Sequence, residues 1–187
     1  MGRPKQLALL AGRPLLQHVV DVAAGAALDE LIVVVGHVST EVMQGIRLPE
    51  GARFVPNPMY RDGQSTSLKC GLRAAHPRAQ GALVMLGDQP AIRPDAIGAV
   101  TRTWRERRPA VAQASYGGRP GHPILLSRTV WTEVHRISGD RGARDVLGAH
   151  PDWTLAVEVG GEPPADIDTE QDLSLAEAGR GPGPSRC

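Results

Sequence analysis

Ala82-Leu83-Val84-Met85-Leu86, followed by Gly87-Asp88-Gln89-Pro90, is the stretch on which the fold turns. An unbroken apolar run of this length describes a strand covered on both faces, as in a parallel sheet. The Gly-Asp-Gln-Pro that closes it turns the chain at the strand's carboxyl end. Pro94 then opens a helix running to about Arg108, since proline is favourable in a first helical turn. Strand, loop and helix in that order form the repeating unit of an α/β architecture.

The unit recurs on either side. Upstream, Leu15, Leu16, Val19, Val20, Val22, Ala23 and Ala26 fall at helical spacing over Leu15 to Ala27. Leu31-Ile32-Val33-Val34-Val35, closed by Gly36, is a second buried strand. Arg53 to Val55 is a short strand stopped by Pro56-Asn57-Pro58, and Ser67 to Ala75 is helical. Downstream, Ala110 to Tyr116 and Pro123 to Ser127 read as strands around Gly117 to His122, a connection too busy for a plain hairpin turn. Thr129 to Ile137 and Ala143 to His150 read as short helices, Trp153 to Val159 as a strand and Thr169 to Ala178 as a closing helix. The expectation is one α/β domain over residues 1–178, with an open, mostly parallel sheet and helices on both faces, and a disordered tail over residues 179–187. Ligands of such sheets sit at the carboxyl ends of strands.

Composition narrows the partners. Lys and Arg number 21 against 20 Asp and Glu, a net charge of +1, and aromatics make up 3% of 187 residues. Neither a basic footprint nor a base-stacking platform is present, so nucleic acid is set aside. Leu31 to Val35 is far too short to span a bilayer, and the N-terminus has no apolar signal segment, so no membrane association is expected. Cys70 and Cys187 form no metal-type pair and no disulfide framework, which fits a reducing cytoplasm.

Three segments could carry chemistry. A carboxylate at Asp88, at the end of a central strand, points into the ligand crevice, and Gly87 lets a ligand approach the backbone. Helix capping does not account for Asp88, because the next helix starts near Pro94, beyond its reach. Its chemistry suits Mg²⁺, a hard ion that combines carboxylates with phosphate oxygens. Asp166-Ile167-Asp168-Thr169 places two carboxylates on one side of an extended segment. Asp168 is the better second metal ligand and Asp166 the weaker, while Thr169 with Asp172 has the pattern of a helix cap. Arg119-Pro120-Gly121-His122-Pro123 holds a guanidinium and an imidazole between prolines, either as a clamp for an anionic or heterocyclic substrate or as a rigid connection facing water. His18, His76, His135 and His150 lack ligand spacing and are expected on the surface; His37 follows a strand and fits turn chemistry.

Taken in order, Met1-Gly2-Arg3-Pro4-Lys5, Gly12-Arg13-Pro14-Leu15-Leu16, Gln64-Ser65-Thr66-Ser67-Leu68 with Gly71-Leu72, Gly87-Asp88-Gln89-Pro90, Pro120-Gly121-His122-Pro123 and Asp166-Ile167-Asp168-Thr169 resemble the MobA-like nucleoside triphosphate transferase family. They are most similar to its molybdenum cofactor cytidylyltransferase branch, over nearly the whole chain to about Ala178. The resemblance implies a Rossmann-like three-layer α/β/α fold of the nucleotide-diphospho-sugar transferase type. It also implies transfer of CMP from CTP to the phosphate of molybdopterin, with Mg²⁺ bound, release of pyrophosphate, and a molybdenum hydroxylase as recipient of the product. Carried over by residue, Lys5 contacts the triphosphate, and Asp88 with Asp168 holds the metal. Gly63 to Ser67, including Ser65 and Ser67, lie along the nucleotide, Pro120 to Pro123, including Gly121 and His122, face the pterin acceptor, and Gly2, Gly87 and Arg119 are further candidate binding residues. The Asp-Ile-Asp-Thr and Pro-Gly-His-Pro segments point to CTP rather than GTP.

The pattern departs from the family in one place. Family members carry a strand and a glycine-rich loop directly ahead of the methionine-glycine that here is Met1-Gly2. That strand would lie mid-sheet between the Leu31 and Ala82 strands, whose ladder groups otherwise lack a partner, and the loop would wrap the triphosphate with backbone N–H groups. An N-terminally shortened transferase domain is the expectation. The alternatives are a non-catalytic molybdenum cofactor carrier or insertion partner that kept the acceptor side, and a nucleotidyltransferase acting on another phosphorylated small molecule.

Overall fold

The computed structural model describes residues 4–37, 39–139, 147–148 and 150–178. A 3-10 turn at Lys5–Leu7 leads into a small antiparallel hairpin of β1 (Leu9–Leu10) and β2 (Arg13–Pro14). Then come α1 (Leu15–Ala24), β3 (Ile32–Val35), α2 (Ser39–Gly45), β4 (Arg53–Pro56), α3 (Gln64–Ala74), β5 (Gly81–Val84) and α4 (Pro94–Arg107). β6 (Val111–Tyr116), β7 (Arg119–Ser127), α5 (Trp131–Val134), β8 (Thr154–Glu158) and α6 (Glu170–Ala178) complete the described elements. The expected Ala143 to His150 helix and the expected disordered tail fall mostly or wholly outside the described residues. Among those described, no helix is long and apolar enough to cross a membrane.

The strands β5-β7-β6-β8 form one sheet, in which β7 runs against both β5 and β6 while β8 lies parallel to β6. Within it β5, β6 and β8 share a direction and β7 alone opposes them. The connection expected to be long is in fact a two-residue turn. Gly117 and Gly118 sit at φ 58° and 79°, the left-handed conformation whose twist matches the flanking strands. Arg119 to His122 therefore join β7 instead of looping out.

Alternation along these strands puts helices on both faces. Val111, Ile124 and Leu126 pack on Leu72 of α3 and on Val130, Trp131 and Val134 around α5. Ala112, Ala114 and Leu125 pack on Val100 and Trp104 of α4. This is the three-layer α/β/α arrangement that the apolar runs predict.

β3 and β4 form a separate parallel pair. Val33 and Val35 face Leu16 and Val20 of α1 and Val42 of α2. On the other side Gly71 of α3 lies against Val34, where a Cβ would stand 3.2 Å from its Cγ2. Since Leu72 reaches the other core, α3 spans both sheets. Between β3 and β5 runs a cleft of about 1620 Å³, lined by both strands. Hydrogen bonds from Arg53 N–H to Leu31 C=O and from Asn57 N–H to Val35 C=O turn the odd-numbered peptide groups of β3 toward β4, so those of Ile32 and Val34 face the cleft. By the same alternation, the bond from Arg128 N–H to Gln80 C=O leaves the peptide groups of Gly81 and Leu83 facing it from β5. The ladder groups expected to lack a strand partner are these. The Ala82 to Leu86 run, read as covered on both faces, is strand only to Val84, and every residue of β5 is partly exposed along the cleft.

Candidate active site

The chain after β5 is fixed by packing before it presents a charge. Gly87 lies so close to α1 that a Cβ would stand 3.0 Å from Leu16 Cδ1. The next residue, Asp88, accepts a hydrogen bond at its backbone carbonyl from Ile167 N–H, 3.0 Å away. Ile167 is buried with Leu10 and Leu15, so its neighbours Asp166 and Asp168 turn outward on the extended segment. The Asp166 carboxylate accepts from Gln89 Nε2 at 2.8 Å. Asp172 accepts from the N–H groups of Asp168 and Thr169, and Thr169 Oγ1 accepts from Asp172 N–H. This is the helix cap that the Thr169–Asp172 spacing predicts, and the Thr169 hydroxyl and the two N–H groups hold the Asp172 carboxyl below its ordinary value. The Asp168 carboxylate takes no part in the cap.

Lys5, on the N-terminal 3-10 turn, joins the two ends. Its Nζ donates to Asp88 Oδ2 at 2.7 Å and to Asp168 Oδ1 at 2.7 Å. Burial alone would push the ammonium down, but the bonds from Asp168 and Asp88 outweigh it and hold Lys5 above its ordinary value. Two carboxylate oxygens thus converge on one cationic centre. Among the described residues no group of three or more His, Cys, Asp or Glu converges in this way. A pair of hard oxygen ligands fits a magnesium-type ion that completes its shell with phosphate and water.

The facing wall is built from the loop ahead of α3. Gly63, at φ 101°, caps that helix in a conformation only glycine takes easily, and its carbonyl accepts from Thr66 N–H and Thr66 Oγ1. Asn57 is buried and organises the loop: its Nδ2 donates to Thr66 Oγ1 and Ser67 Oγ, and its Oδ1 accepts from Met59 N–H. Gln64 and Ser67 line the cleft together with Lys5, Gly87, Asp88, His122 and Asp166.

The other expected residues are placed elsewhere. Ser65 points inward, fully buried, with its N–H bonded to Gly139 C=O. Arg119 forms an ion pair with Glu162. Gly121 packs under Tyr116, where a Cβ would come within 2.9 Å of the ring, and Tyr116 Oη donates to the His122 carbonyl. Gly2 lies outside the described residues. Surface placement suits His76, which is exposed, but His18, His135 and His150 are half-buried. His18 Nε2 is bonded to Leu10 C=O, and His150 stacks on Trp153 at 3.8 Å between ring centroids. Burial, aided by Arg73 and Lys69, pushes the His135 imidazole down. No sequence pattern gives Asn57 or Gln89 a role of its own; Asn57 stands out only by its place between two prolines.

The chain is similar to known proteins over most of its length. The family model of the MobA-like NTP transferase domain matches residues 1–153. A crystal structure from Mycobacterium sp. strain JC1, a homolog of Mycobacterium tuberculosis Rv0371c, superposes with a TM-score of 0.85 at 30% identity, covering 96% of this chain and 89% of that one. The structure of Rv0371c from M. tuberculosis H37Rv in complex with manganese superposes at 0.81 with 30% identity, over 95% and 93% of the two chains. The bifunctional protein GlmU of Sorangium cellulosum is 33% identical over 101 residues, 51% of this chain and 21% of GlmU. This chain therefore aligns with only about a fifth of that relative's length. With the family model matched over residues 1–153 of an α/β/α fold, the chain belongs to the MobA-like NTP transferase domain family.

Proposed function

We propose that the chain transfers CMP from CTP to the phosphate of a molybdopterin-type acceptor, with a divalent cation, Mg²⁺ in the cell, held by Asp88 and Asp168. The observation that carries this reading is the convergence of Asp88 and Asp168 on the Lys5 ammonium beyond the carboxyl end of β5. The manganese complex of Rv0371c supports use of a divalent ion; the preference for CTP and a pterin rests on the Pro120 to Pro123 and Asp166 to Thr169 segments. A bound Mg²⁺ would neutralise charge on the phosphates. Lys5 binds the departing β- and γ-phosphates, Gln64 and Ser67 lie along the nucleotide, and His122 faces the acceptor side. The acceptor phosphate attacks the α-phosphorus in line, the bond to the β-phosphate oxygen breaks, and pyrophosphate leaves. A phosphate monoester, with a second pKa of about 6, is already ionised at neutral pH, so the chain need supply no general base. Positioning and charge carry the rate. The product would pass to a molybdenum hydroxylase in the cytoplasm.

The peptide groups of Ile32, Val34, Gly81 and Leu83 leave room for one further strand between β3 and β5. The test is pyrophosphate release from CTP with molybdopterin, alongside the other nucleoside triphosphates and other phosphorylated acceptors. Asp88→Asn is expected to lower the rate by about 10²–10³-fold, the usual scale for losing one preorganised electrostatic contact. Release unchanged by Asp88→Asn would overturn the assignment. Cofactor binding with no pyrophosphate release, with or without an added strand ahead of Met1, would show a carrier instead.

A further inference from the structure

We infer that Lys5 closes the divalent-cation position in the nucleotide-free protein and transfers to phosphate when nucleotide binds, so that metal and nucleotide enter together. The inference rests on the proposed metal role of Asp88 and Asp168. The Lys5 ammonium stands 2.7 Å from one oxygen of each carboxylate, directed by two of its three N–H bonds. A magnesium-type ion needs those oxygens at about 2.0–2.1 Å. Two cations cannot share that point, so the ammonium must leave before the ion can bind both oxygens.

Among the described residues, nothing else in the corner depends on the ammonium. The Asp166 to Thr169 segment is already held by the Ile167 N–H bond to Asp88 C=O, by burial of Ile167 and by the Asp172 cap. Lys5 is therefore not the staple of that segment, and its side chain can swing without unfolding it. Its backbone stays put: Ala8 N–H bonds to Lys5 C=O, and Leu7 packs against Gly45. The movement is confined to a flexible four-carbon stem. A triphosphate supplies the two things that release needs, an anion for the ammonium and the oxygens that a two-carboxylate site lacks. Metal arriving alone brings neither. The contact thus discriminates against free metal.

Mn²⁺ binding to the full chain, followed by electron paramagnetic resonance without nucleotide and then with a non-hydrolysable CTP analogue, tests this. Lys5→Met keeps the stem and removes the charge, and should tighten nucleotide-free Mn²⁺ binding by about tenfold, the scale of one charge removed from a partly exposed site. Lys5→Gln should do the same, and Lys5→Arg should not. If neither Lys5→Met nor Lys5→Gln tightens nucleotide-free binding, while Mn²⁺ with the analogue still depends on Asp88, the gate is wrong and the metal site stands. If Asp88→Asn leaves binding with the analogue unchanged, the metal site and the gate both fall.

Discussion

β6 and β3 are both short apolar strands, yet one is enclosed and the other is not. β6 lies between β7 and β8, and all six of its residues are buried. β3 is paired along one edge, and Ile32 and Val34 stay half-open to the cleft. Residue type does not separate them, since Ile and Val are at least as apolar as the Ala, Gln and Ser of β6. Pairing on both edges does. The active corner sits where that pairing stops: Asp88 follows β5, which is bonded to β7 on one side and open on the other.

The largest expected consequence is in stability. Leu126, fully buried near the end of β7, is expected to cost about 2–5 kcal/mol on substitution by Ala, as core leucines do. Val34→Ala, at the open edge, should cost about 1 kcal/mol, the value of the little apolar area it hides. Urea-unfolding midpoints of the two variants measure the ratio. Equal losses would mean that the β3 side is as tightly packed as the β7 side, and the contrast would fail.

Hydrogen exchange probes the same contrast at single amides. The N–H groups of Ile32, Val34, Gly81 and Leu83 face the cleft, whereas those within β6 meet strands on both sides. Amides of the first set should exchange faster than those of Ala112 to Ala114 by about 100-fold, the factor that roughly 2.7 kcal/mol of local protection gives. An apolar strand added ahead of Met1 should slow those four amides and leave β6 unchanged, since it would satisfy groups that each cost about 1–3 kcal/mol when buried without a partner. Uniform protection of all strands without such a segment would show that the cleft is closed in solution.

What the sequence disclosed follows the same division. Leu31 to Val35 and Ala82 to Leu86 are legible as strands because unbroken apolar runs mark them, although their burial is incomplete along the cleft, and Pro94 marks the start of α4. α2 is not legible, because Ser39–Gly45 buries Val42 alone and carries no periodic stripe. The β6–β7 turn was missed because Arg119 to His122 look like loop chemistry until the φ values of Gly117 and Gly118 are known. Lys5, Asp88 and Asp168 could each be nominated, two from position or spacing and Lys5 from a family pattern. Their convergence across 83 and 163 residues of chain is a tertiary fact that no local pattern encodes. The inward turn of Ser65 and the pairing of Arg119 with Glu162 were hidden for the same reason.

The smallest effect concerns how the open pair is tied to the rest of the molecule. Glu30, just before β3, accepts from His76 N–H at 3.0 Å and pairs with Arg53 at the start of β4. His76 belongs to the turn that leads into β5, so this carboxylate bridges the amino-terminal end of the cleft. Burial would raise its proton affinity, but the His76 N–H and the Arg53 guanidinium outweigh that and hold Glu30 below its ordinary value. A depressed folded value means that the contribution is complete above the ordinary carboxylate range and is lost as pH falls through the folded value. Glu30→Gln should therefore remove part of the acid dependence of unfolding and cost about 0.5–1 kcal/mol at neutral pH, the range of a partly exposed ion pair. Because the bond is local to the cleft, the loss should appear in exchange at Val33 and Val35 before it appears in β6. If acid loosens β6 together with Val33 and Val35, the two regions unfold as one unit and the cleft is no boundary.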